Sequence, residues 1–464
     1  AGDGHRTMRF RAVLVHPAVK PVYCHLKGME QNSLSVGSRD RKRAQTVTME
    51  NIPPLKKEQA MPDASELLPA VYFTSHRSWD EFFSWYRSFL KNRVRIDADM
   101  KALVKKIFSD TREPLDRVRA IYGFVSGSIR YVGFEFGVGG IQPRGTDVTF
   151  HTRMGDCKDV SLLLVALLRE AGIDARLALI RTRDRGRAYL AAPFAGEFNH
   201  AICYVNIGKG FFLDATAPDT GIRELPADDR AVDAFVMDDK GWKFITTGGD
   251  FYYRNLVEIH NDVTITNAGD AEIRRSLLKQ GETAPEARAR LMDRERYVQY
   301  LNEFWNSYFP GSSVRNLAVS SMAVDEPVRS GYTVSVPGFS RNIDRTIIFD
   351  ASPVRYDLYD VYALSPDRTF PVVLAGGGTA RTVTRFAIPG GYRVSRLPRN
   401  ERFNGDDYSA AFNYSYSGRT ITVESVIDLK KTFVETAAYR RFREFTRLVD
   451  RKERERIILS PASP

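Results

Sequence analysis

The sequence is poor in cysteine: Cys24, Cys157 and Cys203 are the only three in 464 residues. Three thiols cannot all pair within one chain, so a disulfide framework is excluded and each cysteine must be explained by packing or by reactivity. Long apolar runs are also missing. The most apolar stretch, Leu162–Leu168, is far shorter than the ~18 residues a membrane-crossing helix requires, so no membrane span is expected. No CxxC or HxxxH spacing occurs, which removes the usual sequence sign of a metal site. Internal repeats and low-complexity tracts are absent. The chain opens at Ala1 with neither Met nor an apolar leader, as a mature secreted chain or a trimmed one would, and a removed signal would leave no trace.

What is present belongs to an ordinary globular protein. The hydrophobic share is 43% and the charged share 27%, and the length calls for more than one core. The net charge of +11 raises the question of nucleic acid. The basic residues are scattered, apart from Arg39, Arg41, Lys42 and Arg43 and the mixed run Arg451–Arg456. Neither cluster is interleaved with aromatics as a base-stacking surface would be. A solvated surface, or contact with an anionic envelope polymer, is expected instead of nucleic acid.

Periodicity divides the chain into three. Residues 1–75 read as β structure, with strands at Met8–Val15 and Thr46–Met49, broken by Ile52-Pro53-Pro54 and Met61-Pro62. A chain that starts directly in a strand looks like the later part of a truncated, sandwich-like domain. From Ser78 the pattern is helical. Trp79, Phe82, Phe83, Tyr86 and Leu90 share one face, followed by amphipathic segments at Asp99–Phe108 and Pro114–Ser126 and a strand at Ile129–Phe136. Past residue 248 the chain turns β-rich again. A hairpin is predicted at Leu256–Thr266 and Ala271–Leu278, then one long helix over Thr283–Tyr308. Further strands follow, with a last helix near Glu435–Asp450.

The run Met154-Gly155-Asp156-Cys157-Lys158-Asp159 precedes a helical stretch rich in Leu and Val, which Gly172 ends. Gly155 permits a close approach and Asp156 can cap the helix, placing Cys157 in its first turn. There the unpaired N–H groups and helix dipole favour a thiolate, the nucleophilic form. The alternative is a small apolar core residue, as most single cysteines are, although Gly-Asp-Cys-Lys-Asp is a polar setting for one. His200 opens the apolar run Ala201–Val205, and Asp214 ends the run Phe211–Leu213. A hairpin through Asn206–Gly210 could set His200 beside Asp214, giving nucleophile, base and orienter in chain order. His151 is a rival base but stands just before the nucleophile. Asp156 and Asp159 read as cap and helix-surface residues, and Cys24 and Cys203 as buried thiols. A metal bound by Cys157, His200 and Asp214 has suitable ligand types but no supporting spacing.

The run from Arg130 through Asp159, with Phe198-Asn199-His200 and Leu213-Asp214-Ala215-Thr216, resembles the bacterial transglutaminase-like superfamily. In particular it is similar to large bacterial proteins that carry such a core between two β-rich domains of unknown function. The resemblance implies an α+β chain: a partial β domain (1–75), a papain-like transglutaminase core (76–248) and a β-rich C-terminal domain with two helices (249–464). It also implies a Cys157–His200–Asp214 triad, with Gln142 a weaker candidate beside the Cys157 N–H for holding the oxyanion. No cofactor and no metal are expected. The expected activity is thiol-dependent hydrolysis or acyl transfer at a peptide or envelope-type amide, in the periplasm or outside the cell. The alternative is a catalytically silent binding or assembly protein that retains the core.

Overall fold

Ser78 starts the helical part of the chain for a local reason. Its hydroxyl accepts from the Glu81 N–H at 3.3 Å, and the Glu81 carboxylate accepts from the Arg77 N–H at 2.6 Å. Both bonds satisfy donors that a helix start leaves unpaired. In a computed structural model, which describes residues 5–133 and 137–462, the helix runs Trp79–Leu90 and buries Phe82, Phe83 and Tyr86. The next two predicted helices are present at Ala98–Asp110 and Pro114–Ser128. Pro114 sits in the first turn of the second, where a missing N–H has no cost. The strand expected over Ile129–Phe136 is only Arg130–Tyr131, and its residues 134–136 lie outside the described residues.

The helix Cys157–Glu170 is buried from Lys158 to Leu168. A helix apolar on nearly every side has to be a core helix. Leu163, Leu164, Leu167 and Leu168 have no solvent exposure; removing each from water contributes about 1.5–3 kcal/mol. Beyond Ala171 the backbone turns left-handed at Gly172, with φ of 74°, and the helix stops.

This helix lies against a five-stranded antiparallel sheet, in the order Phe211–Leu213, His200–Val205, Ala175–Ile180, Asp233–Met237, Trp242–Thr246. Alternation along Ala175–Ile180 sends Ala178 and Ile180 to the face shared with Leu163 and Leu164. Leu177 and Leu179 go to the opposite face, with Phe82, Phe83, Tyr86 and Phe235. The sheet is therefore covered on both sides, and its strands read as continuous apolar runs. The Ser161 hydroxyl donates to the Ala201 carbonyl at 2.8 Å, pinning the helix to the strand one residue past His200.

The chain gathers into two compact units. One contains the chain up to Lys57 with Pro62–Tyr252, the other Glu58–Met61 with the chain from Tyr253 onward. The first takes in the 76–248 piece and all of the 1–75 piece except Glu58–Met61. Within it the N-terminal strands form their own three-stranded sheet, ordered Thr7–Pro17, Lys42–Ile52, Leu34–Arg39. Tyr23–Lys27 pairs separately with Ala70–Thr74, whose Tyr72 ring stacks on Tyr189 at 5.0 Å.

In the second unit an eight-stranded sheet contains the predicted hairpin, Leu256–Ile265 with Ala271–Gln280. The helix Tyr439–Glu453 buries Phe442, Phe445 and Val449. The single helix expected over Thr283–Tyr308 is in fact two, Thr283–Met292 and Arg294–Tyr308. Asp293 leaves helical geometry (φ −106°, ψ 90°), and its side chain caps the second helix through the Arg296 N–H at 3.0 Å. An aspartate that can cap competes with helix continuation, and apolar periodicity alone does not report that competition.

Candidate active site

The start of the Cys157 helix is held by a reciprocal pair of carboxylates. Asp156 accepts from the Asp159 N–H at 3.3 Å, and Asp159 accepts from the Asp156 N–H at 3.3 Å, a capping box. Gly155 is needed beside it, because a Cβ there would lie 2.8 Å from Asp159 Cβ. Asp159 is not the helix-surface residue expected from its polarity. It is buried, receives the Arg144 N–H at 2.8 Å and faces Arg144 Nε at 3.0 Å. The Lys158 ammonium is likewise buried against the Asp156 carboxylate. Cys157 follows the cap as the first helical residue, so its N–H has no acceptor within the helix.

His200 opens its strand opposite Ile180. The adjoining strand pairs Phe211 with Val205, Phe212 with Tyr204 and Leu213 with Cys203. Extended by one step, this register sets Asp214 level with Ile202, on the face His200 shares. His200 Nε2 lies 3.2 Å from Asp214 Oδ2. The other carboxylate oxygen, Oδ1, accepts from the Thr216 N–H at 2.8 Å and the Thr216 hydroxyl at 2.7 Å. The Tyr122 hydroxyl holds the Asp214 backbone by donating to its carbonyl at 2.9 Å.

Cys157 and His200 line one cleft of about 450 Å³, together with Tyr86, Tyr131, Ile141 and Phe198, and the Cys157 side chain is near enough to favour a charged imidazole at His200. Burial works against an imidazolium at His200, but the charge of Asp214, its hydrogen bond and the nearby Cys157 side chain outweigh it. His200 is held well above the usual histidine range. Burial likewise pushes the Asp214 carboxyl up, and His200 with Thr216 more than offsets it, leaving Asp214 below the usual carboxylate range. Tyr86 is buried at the same cleft, and burial followed by the nearby Cys157 charge keeps its hydroxyl protonated.

The remaining candidates lie elsewhere. The Gln142 side-chain amide donates to the Phe89 carbonyl at 3.4 Å, and Gly140 and Ile141 line the cleft in its neighbourhood. His151 Nε2 pairs with Asp97 Oδ2 at 2.7 Å on the surface. Cys203 is fully buried and burial pushes its thiol far up; Cys24 is half-buried and raised for the same reason.

One site residue was not foreseen. Asp229 ends the short turn Ala227–Asp229 and is buried. A carboxylate oxygen of Asp229, one of Asp214 and a ring nitrogen of His200 lie within 4.8 Å of one another. That spacing could suit a cation, but Asp214 already turns one oxygen to His200 and the other to Thr216. A second acidic group, Asp357, Asp360 and Asp450, is likewise engaged, because Arg454 bridges Asp357 and Asp360 at 2.7 Å each.

Comparison with known proteins bears on the family and the fold. The model of the transglutaminase-like superfamily matches residues 101–242, and that of a domain of unknown function with a solved structure, DUF3858, matches residues 346–459. No curated protein matches. A crystal structure of a candidate protease from Parabacteroides distasonis is similar over 99% of this chain and 74% of its own, at 13% identity and a TM-score of 0.61. That likeness extends the shared fold over nearly the whole chain. A candidate cysteine protease from Cytophaga hutchinsonii matches over 53% of this chain and 74% of its own, at 15% identity and a TM-score of 0.24. The periplasmic domain of TgpA from Pseudomonas aeruginosa matches over 47% of this chain and 75% of its own, at 15% identity and a TM-score of 0.21. Residues 101–242 of this chain are a transglutaminase-like superfamily core, set between β-rich regions of which the C-terminal one carries a DUF3858 domain.

Proposed function

We propose that the chain is a thiol-dependent amide hydrolase or acyl transferase, with Cys157 as nucleophile, His200 as base and Asp214 as orienter. The observation that carries this reading is the position of His200, which is bonded to Asp214 and shares a single cleft with Cys157. With Nε2 committed to Asp214, Nδ1 is the nitrogen left for the thiol proton. The raised His200 favours a thiolate–imidazolium pair. The thiolate attacks an amide carbonyl and forms a tetrahedral oxyanion next to the Cys157 N–H. Collapse of that intermediate breaks the C–N bond, and His200 passes its proton to the departing amine. The resulting thioester is resolved by water in a hydrolase or by a second amine in a transferase, with His200 as general base and Cys157 leaving. Gln142 would have to release the Phe89 carbonyl to join the oxyanion site.

We assign the substrate to peptide or envelope-type amides, and the location to the periplasm or cell exterior, on the family resemblance. Among the described residues no helix is long and apolar enough to cross a membrane. The division into pieces at 1–75, 76–248 and 249–464 belongs to the same proposal.

The test is a screen of peptide, glutamine and peptidoglycan-like amides with Cys157→Ala as control. Turnover by the wild type alone supports the reading. Binding of the same ligands by both proteins, with no turnover by either, would favour the silent binding protein.

A further inference from the structure

Asp229 adds a second buried acid to the group that orients His200. Its side chain and those of Asp214 and His200 lie within 4.8 Å. Asp229 is 2% exposed, and its Oδ2 has no hydrogen-bond partner among the described residues. Two carboxylates this close in a buried place cannot both ionise, so one must keep a proton. The surroundings decide which. Asp214 faces His200 and receives both donors of Thr216, all of which favour its charge. Asp229 Oδ2 receives none, which favours the acid form. Other groups do not reverse this order. Asp228, on the same turn, adds negative charge beside Asp229, His200 opposes from the neighbouring strand, and Tyr252 is the phenol that senses the charge of Asp229. The Arg230 guanidinium lies over the Tyr252 ring at 5.5 Å. Burial first, and then the Asp214 charge, push the Asp229 carboxyl up to about 8.

We propose that Asp229 is a positioning residue of the thiol site: as the neutral acid it donates its O–H to the Asp214 carboxylate and so fixes the direction and charge of the group that holds His200. The sequence of contacts is then Cys157, His200, Asp214, Asp229, with the last proton retained and not transferred. This rests on the reading of Cys157 and His200 as nucleophile and base. It goes beyond that reading in giving the site an ionisation of its own near neutral pH, since loss of the Asp229 proton would set two negative charges beside one imidazole.

The test follows the alkylation rate of Cys157 with iodoacetamide against pH, resolved by peptide mass spectrometry. It compares the wild type, Asp229→Ala and Asp229→Asn. Asparagine can still donate to Asp214 but cannot ionise. The expected wild-type profile has an inflection near pH 8, the value set by Asp229. Asp229→Ala should slow labelling at pH 7 by about tenfold or more. Asp229→Asn should recover most of that loss and lack the inflection. If Asp229→Ala fails to fold, the asparagine profile decides alone. An Asn profile superimposed on the wild type, inflection included, would overturn the proposal. So would a folded Asn variant as slow as or slower than Ala at every pH, because a charged Asp229 would then be required. If wild-type Cys157 reacts no faster than Cys24, the thiol-catalyst reading fails and takes this inference with it.

Discussion

Among the described residues the first unit contains two histidine–aspartate ion pairs, and the shorter one is not the interesting one. His151 and Asp97 are 2.7 Å apart with side chains 51% and 34% exposed; His200 and Asp214 are 3.2 Å apart, 15% and 6% exposed. Asp97 is held below the usual carboxylate range first by the Met100 N–H it caps and then by His151, so its task is to start a helix. Asp214 is held low against burial, by His200 and Thr216. Next to the buried pair lie a thiol at a helix start and a second acid; next to the exposed pair lies Asp99. Distance alone does not mark reactive chemistry. Restricted solvent and a neighbouring nucleophile do, because they make the charge of one group depend on the others.

Substitutions can break this comparison. Cys157→Ala and His200→Ala should each lower amide turnover by about 10³-fold or more. His151→Ala should stay within about twofold in the same steady-state assay. Equal losses from the two histidines would erase the distinction between the pairs. Asp214→Asn should reduce kcat by roughly 10²–10⁴-fold, from loss of the correct tautomer and of imidazolium stabilisation, while Asp97→Asn should leave kcat nearly unchanged.

Stability measurements sharpen the same contrast. Leu164→Ala, at a fully buried position of the helix behind Cys157, should cost about 2–5 kcal/mol in urea unfolding. Asp97→Ala should cost about 0.5–2 kcal/mol, the ordinary value of a lost cap. The pH dependence of stability has a definite sign at Asp229. With its carboxyl raised to about 8, the native state carries a proton that the unfolded chain releases above its ordinary value near ~3.9. Stability from this group therefore falls as pH rises between those limits. Asp229→Asn removes that slope, so its Tm should gain on the wild type steadily from pH 5 to pH 8. Parallel Tm curves would show that Asp229 titrates normally.

The hairpin that carries His200 and Asp214 was legible because every step of it is local. A cap, a glycine and an apolar run specify the Cys157 helix, and the continuous apolar strands at 201–205 and 211–213 follow from a sheet covered on both faces. The transglutaminase-like core was readable on the same motifs. Asp229 was not, because it sits in a short turn with no periodicity and approaches His200 only through tertiary structure. The burial of Asp159 was missed because its partner Arg144 is fifteen residues away. Strands Tyr23–Lys27 and Ala70–Thr74 escaped notice as well. They pair across more than forty positions, and short mixed strands carry little pattern of their own.

The central claim is that Cys157 is activated by His200, and thiol labelling tests it without knowledge of the substrate. Native protein would be treated with a limiting amount of iodoacetamide at pH 7, and labelling at Cys24, Cys157 and Cys203 quantified separately in the wild type and in His200→Ala. Cys157 is expected to react at least tenfold faster than Cys24, Cys203 to stay unlabelled, and the Cys157 advantage to disappear in His200→Ala. A Cys157 that reacts no faster than Cys24, or whose rate is the same with and without the His200 imidazole, would contradict the account.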